Sequence, residues 1–351
     1  MWFDRNTYTV TVNSGANGTV SANTVTQTGN SVTAPASGTI NLTVKHGDTV
    51  KATATANTGY SFNEWSGGYV SGTTNPKTGT SVTENKTITG TFTKIDPVIK
   101  SWTNSASTDF HNSTYRTNIT SVIFEDSINI PSGATSWDVS KVANSGAVMA
   151  WVTADPSDSS KYILHIAGDG GVIANQNSAY IFRNFTNLKS ITFGDNYDTS
   201  NVTDMQYMFY NCSSLTSLDL GSNFDTSSVV LMGAMFYGCS SLTSLDLGTN
   251  FDTSSVTGMQ SMFSGCNNLT SLDLGDKFDT SSVTVMGSMF SDCSSLTSLD
   301  LGDKFDTSSV TSMSGMFSGC SSLTSLDLGD KFDTSSVTTM YYMFQIGRAH
   351  V

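Results

Sequence analysis

Apolar and polar positions along this chain change rhythm twice. Between residues 7 and 94 they alternate. Thr7-Tyr8-Thr9-Val10-Thr11-Val12, Ile40-Asn41-Leu42-Thr43-Val44 and Thr87-Ile88-Thr89-Gly90-Thr91-Phe92 each send every second side chain to one face, and residues 50–54 add a further segment. A period of two predicts half-buried strands, and the Gly- and Asn-rich connections between them predict turns. Residues 59–68, with Tyr60, Phe62 and Trp65, hold most of the aromatic mass of this part. They are read as the hydrophobic plug of a small sheet, or alternatively as an exposed aromatic contact.

Residues 101–187 keep strand-like alternation at 119–124, 148–152 and 162–166, but without a long period. From Leu188 a new rhythm begins. Leucines at 188, 215, 242, 269, 296 and 323 keep a constant step of 27, and Cys212, Cys239, Cys266, Cys293 and Cys320 keep the same step. A strict period of this length predicts copies that can bury their apolar residues only against one another. Each copy opens with leucines at its first, fourth and sixth positions, as in Leu215-Thr216-Ser217-Leu218-Asp219-Leu220, which predicts a strand. Val229, Met232, Met235, Phe236 and Cys239 follow at offsets of 3, 6, 7 and 10, which fits one face of a short helix capped from Thr226-Ser227-Ser228. The expected fold class is therefore α+β. It comprises a small N-terminal β domain, which the first resemblance given below implies to be β-grasp-like, then a leucine-rich-repeat-type β/α solenoid with an N-terminal cap. The boundaries are 7–94 for the β domain, 95–100 for a linker around Pro97, 101–187 for the cap and 188–345 for the repeats. Residues 346–351 break the period and are similar to translated adapter sequence, so they are expected to be a foreign tail on a fragment.

Composition narrows the function. The net charge is −13, yet residues 1–94 carry +2, which leaves −15 for the remainder. An acidic repeat array repels phosphate backbones, so nucleic acid is not an expected partner. No apolar run reaches the roughly 18 residues of a membrane helix. His46, His111, His165 and His350 lie in unrelated contexts, and no nucleophile elbow, phosphate loop or paired-carboxylate signature occurs. No catalytic residue, cofactor or metal is expected. The five cysteines lack paired metal spacing and are read as small core residues.

The candidate binding face is the polar side of the repeated strand: Thr216, Ser217, Asp219, Thr243, Ser244, Asp246, Thr270, Ser271, Asp273, Thr297, Ser298, Asp300, Thr324, Ser325 and Asp327. Stacking would bring the aspartates about 4.8 Å apart, where neighbours repel by about 1 kcal/mol even in water. Three readings stay open for that column: solvation by water and adjacent hydroxyls, a polar ligand surface, or a loosely held Ca²⁺. A second acidic column, Asp225, Asp252, Asp279, Asp306 and Asp333, precedes Thr-Ser and is expected to close turns.

Two resemblances accompany these readings. The opening Tyr-Thr-Val-Thr-Val, Gly18-Thr19-Val20-Ser21, Gly59-Tyr60-Ser61-Phe62 with Trp65, and the closing Thr-Ile-Thr-Gly-Thr-Phe resemble the divergent InlB B-repeat (internalin-type) module of bacterial surface proteins. The repeated Phe-Asp-Thr-Ser-Ser-Val-Thr, Met-x-x-Met-Phe and Cys-Ser-Ser-Leu-Thr-Ser-Leu-Asp-Leu, with Trp137-Asp138-Val139-Ser140 and residues 168–175 and 185–188 before them, resemble the BspA-type leucine-rich-repeat surface proteins. The resemblances imply an extracellular, cell-surface adhesin. It would be monomeric and would bind protein or glycan ligands on host cells, matrix or other bacteria. The alternative is a passive stalk whose binding or catalytic domain lies outside this sequence. One departure from the leucine-rich pattern matters. The ninth position of each copy carries Asn196, Asn223 and Asn250 but then Lys277, Lys304 and Lys331, so an asparagine ladder must end after the third copy.

Overall fold

The computed structural model describes residues 5–25, 31–103 and 107–346. Its chain divides into two compact units: residues 1–96 with 144–147, and residues 97–143 with 148–351. Of the expected foreign tail, Ile346 packs half-buried against the second unit's core. Residues 347–351, His350 among them, lie outside the described residues.

The first unit consists of strands β1 (Thr7–Ser14), β2 (Gly18–Thr24), β3 (Ser31–Ala34), β4 (Thr39–Lys45), β5 (Thr49–Ala56), β6 (Tyr60–Gly67), β7 (Lys77–Ser81) and β8 (Lys86–Lys94). They form two four-stranded sheets, ordered β4-β1-β8-β6 and β3-β2-β5-β7, and no helix accompanies them among the described residues. β1 runs antiparallel to β4, with Val10 opposite Leu42, and parallel to β8, with Val12 opposite Ile88. The alternation read from sequence is what joins the sheets. Val10, Val12, Val20, Leu42, Val44, Val50 and Ile88 are all fully buried, and Trp65 is buried with its indole N–H donating to the Thr74 carbonyl at 3.0 Å. Gly90 shows how tight this core is, since a methyl group there would meet Val20 at 2.7 Å and the Trp65 ring at 3.1 Å.

The second unit begins with a single helical turn, α1 (Ser113–Arg116), and β9 (Ile119–Glu125), β10 (Ser136–Asp138), β11 (Val148–Asp155), β12 (Asp158–Gly168), β13 (Val172–Ile173), β14 (Ser190–Thr192) and β15 (Tyr197–Asp198). β10-β11-β12-β9-β14 form one sheet. Its last member belongs to the first repeat copy and pairs in parallel with β9, so the non-repeated segment supplies a strand partner for the repeats. The later copies contribute β16 (Ser217–Asp219), β17 (Ser244–Asp246), β18 (Ser298–Asp300) and β19 (Ser325–Asp327).

The expected fold class is overturned. Strand accounts for 34% of the described residues and helix for 1%, in many small sheets, so this is neither an α+β protein nor a leucine-rich-repeat-type β/α solenoid, and the first unit's two sheets replace the β-grasp-like arrangement. The predicted repeat helix is a run of successive turns. Met235, Cys239 and Leu242 donate N–H to the carbonyls of Met232, Phe236 and Cys239, one turn back. Met232, Ala234, Phe236 and Gly238 donate instead to carbonyls of the next copy, those of Gly258, Gln260, Met262 and Ser264. Ala234 (φ 55°) and Gly238 (φ 69°) take left-handed conformations that a helix cannot contain. Spacing supplies the physical reason. The rings of Phe209, Phe236, Phe263, Phe290 and Phe317 stack on their counterparts at 5.4–5.7 Å between centroids, tilted by no more than 8°. A helix needs about 10 Å of width, so copies this close exclude one.

The repeat register itself is continuous on this side. Parallel bridges link Asn177, Asp204, Leu231, Gly258, Val285, Ser312 and Thr339 in turn. Like therefore packs on like. Thr199, Thr226, Thr253, Thr280 and Thr307 are fully buried, and each hydroxyl donates at 2.7–2.8 Å to an aspartate carbonyl of the following copy. All five cysteines are free and buried. Each Sγ–H donates to the carbonyl of a phenylalanine in the preceding copy, and burial pushes the Cys212 thiol up to about 12 and Cys320 up to about 11. Such thiols are inert at neutral pH.

Candidate functional site

All fifteen residues of the expected binding face are exposed, while the leucines between them point inward. Their column is not continuous. β16 pairs with β17, setting Ser217 opposite Ser244 and Asp219 opposite Asp246, and β18 pairs with β19, setting Ser298 opposite Ser325 and Asp300 opposite Asp327. Between these pairs, Ser271 and Asp273 lie in a segment that is not a strand. On the side that faces β17 the interruption has a sequence cause. Ser213, Ser240, Ser294 and Ser321 each donate a hydroxyl to a carbonyl one copy back, which clips neighbouring copies together just before the strand. Asn267 stands where that serine would be, and its amide reaches forward to the Asp292 carbonyl instead.

Much of the face's polarity is spent internally. The hydroxyls of Thr243, Thr297 and Thr324 donate to the carbonyls of Thr216, Thr270 and Thr297 at 3.1–3.4 Å. Asp219, Asp246, Asp273, Asp300 and Asp327 each accept the N–H of the glycine two residues on, at 2.8–2.9 Å, which closes the turn that ends the strand. Local hydrogen bonds of this kind offset the repulsion along the column. The second acidic column works the same way: Asp198, Asp225, Asp252, Asp279, Asp306 and Asp333 accept the N–H of the serine two residues on. Hydrogen bonds from Ser254 and Ser308 hold the Asp252 and Asp306 carboxyls below the ordinary carboxylate range. Ser217, Ser244, Ser298 and Ser325 are the exposed hydroxyls left along the two strand pairs. Among the described residues, no group of three or more His, Cys, Asp or Glu is placed to hold a metal ion.

A second polar feature is absent from the sequence reading. A cleft of 530 Å³ opens where the repeats begin, lined by Asp195, Asn196, Asp198, Ser222, Asn223 and Asp225 among others. The asparagine ladder forms its wall, as Asn196, Asn223 and Asn250 donate side-chain amides to the carbonyls of Phe124, Asp195 and Ser222. Where lysine replaces asparagine, turn bonds from Phe278 to Gly275 and from Phe305 to Gly302 close the corner instead. The spacing of Asn196, Asn223 and Asn250 carries the signal, but a loop cleft needs three dimensions to be seen.

Of the histidines, His111 is buried against Trp102, Phe110 and Phe185, with Nε2 2.5 Å from the Ile181 carbonyl, and burial lowers it to about 4. His165 stacks on Trp151 and lies 2.6 Å from Glu125. Its Nε2 also lies 3.0 Å from the Thr153 hydroxyl.

Residues 176–275 and 270–350 match the family described as "Mycoplasma protein of unknown function, DUF285". Residues 30–96 match "Divergent InlB B-repeat domain", against the expected span of 7–94. Nothing matches among curated proteins or among solved structures. The BspA-type leucine-rich-repeat resemblance thus finds no support in the comparisons, and the repeats match the uncharacterised family instead. The InlB-type match supports a bacterial surface-type protein. No helix among the described residues is long and apolar enough to cross a membrane.

Proposed function

We propose that this chain is a non-catalytic, extracellular surface protein that binds protein or glycan ligands on host cells, matrix or neighbouring bacteria. It acts as a monomer through its exposed strand face. The carrying observation is the pair of parallel strand couples. They hold Ser217 beside Ser244 and Ser298 beside Ser325 in register, each followed two residues on by an aspartate whose carboxylate is fixed by accepting a glycine N–H. A repeated donor–acceptor row offers a ligand several weak contacts at once, and their combined effect exceeds any single one.

The competing reading, a passive spacer, draws on the internal use of the threonine hydroxyls and aspartate oxygens. Aspartate-to-asparagine changes separate the two, because asparagine retains the acceptor for the glycine N–H and loses only the charge. The full chain with Asp219, Asp246, Asp300 and Asp327 changed to Asn, and the four paired serines changed to Ala, is applied to immobilised matrix proteins and a glycan array. Loss of wild-type binding with an unchanged melting curve supports the binding face. Equal binding, or none by either protein, favours the spacer.

A further inference from the structure

We infer that Arg183 and the tyrosines around it form a binding site for an acidic oligosaccharide, one that carries uronate carboxylates. This surface is separate from the strand face and does not depend on it.

The period reaches back beyond the first leucine. Arg183, Tyr210 and Tyr237 hold equivalent places in successive copies, as do Tyr180 and Tyr207, so two short columns stand at the start of the repeats. The guanidinium of Arg183 lies 5.0 Å from the Tyr210 ring centre and 5.8 Å from that of Tyr180. Tyr210 stacks on Tyr237 at 4.7 Å and 5°, and Tyr180 on Tyr207 at 5.1 Å and 7°. All five side chains are half-buried. The columns then stop: the next copy puts Ser264 after Tyr237 and Ala234 after Tyr207.

Three observations set this cluster apart from ordinary repeat packing. First, Tyr180 and Tyr207 hold left-handed backbone angles of φ 68° and 58°. A bulky residue there costs roughly 1–2 kcal/mol; the copies that follow carry Ala234, Ser261, Ser288 and Gly315, and only the last returns to a tyrosine, Tyr342 at φ 59°. Second, Arg183 Nε is buried without a hydrogen-bond partner, and among the described residues the guanidinium makes no ion pair. Cation–π contact satisfies its charge in part but leaves its N–H donors unused. Third, no ring covers the far side of Tyr237 among the described residues, so its column ends on an unstacked aromatic.

These features converge on one chemistry. A guanidinium with spare donors binds carboxylate through paired, charge-assisted hydrogen bonds. The electron-rich face of tyrosine attracts the positively polarised C–H groups of a pyranose ring. Arg183 and Tyr237 sit two copies apart, close to about 10 Å by the spacing of about 4.8 Å per copy, a span that asks for more than one sugar. A peptide would want a deep apolar anchor or an open strand edge, and this row of half-buried rings offers neither.

The test titrates the full chain by calorimetry with a short polyuronate, its carboxyl-reduced neutral counterpart, inorganic sulfate and a polyglutamate of matching charge. Tyr237→Ser installs the residue that Ser264, Ser291 and Ser318 already hold at this position, so the fold tolerates it, and Arg183→Lys keeps the charge but loses the fork. The wild type is expected to bind polyuronate in preference to the other three. Arg183→Lys should weaken that binding about tenfold, the worth of one good charge-assisted contact, and Tyr237→Ser several-fold, while strand-face variants leave it unchanged. The inference is overturned by absence of polyuronate binding, by equal binding of any of the other probes, or by undiminished binding in both variants.

Discussion

The first unit and the repeats bury their apolar residues by opposite rules. In the first unit unlike meets unlike: Val10 faces Leu42, Val12 faces Ile88, and Trp65 fills a space that no other position could share. In the repeats the same contact recurs from copy to copy, ring on ring and each buried threonine hydroxyl on the aspartate carbonyl of the copy that follows. A heterogeneous core specifies one register through shape. A self-similar core specifies it through period, and a single altered residue then disturbs one interface between copies without changing the rule.

That contrast can be broken most forcefully at the phenylalanine column. Phe236→Ala, Phe263→Ala and Phe290→Ala should each lower stability by about 3–5 kcal/mol, and by similar amounts, because each ring has the same neighbours above and below. Denaturant titrations giving widely different losses would contradict equivalence of the copies.

A smaller effect, on the order of 3 kcal/mol, is expected from His111, in the non-repeated start of the second unit. Its imidazole is neutral in the fold and protonates only near pH 4, whereas an unfolded histidine protonates near 6.5. As pH falls, the unfolded chain takes up the proton first. Stability is therefore complete above about 6.5 and drains away towards 4. His111→Gln should flatten that window in denaturation measured against pH, and an unaltered pH profile would remove the histidine from the account.

Thr253→Val comes next. The shape is kept, but the Asp279 carbonyl loses the hydroxyl that reaches it at 2.8 Å, which should cost about 1–3 kcal/mol. The mildest change works in the other direction. Asn267→Ser should restore the missing clip between copies, gain about 0.5–1.5 kcal/mol and protect the Thr270 amide in hydrogen exchange. If that amide exchanges as before, the interruption has another origin.

The contrast also explains what can be read in advance. Alternation in the first unit places β1, β4, β5 and β8 nearly to the residue, because a period of two has one structural meaning. In the repeats the period is plain and the local conformation is not. Offsets of 3, 6, 7 and 10 suit a helical face, yet they also describe two runs of threes, Thr226-Val229-Met232-Met235 and Phe236-Cys239-Leu242-Leu245, which is what consecutive three-residue turns produce. The glycines at 238, 265 and 319, matched by Asn211 and Asp292, are the clue, for all five sit at positive φ. Of the candidate face, exposure and pairing follow from the leucine spacing. The break at Asn267 does not, since it depends on which way one side-chain amide turns. The Arg183 and tyrosine columns stay hidden as long as the leucines, rather than the rings, mark where the repeats start.

The bridges that run unbroken from Asn177 to Thr339 carry one last implication. Because the same parallel bridge recurs at every junction from Asn177 to Thr339, excising or duplicating one whole copy would leave that series of bridges unbroken, whatever the strand face does.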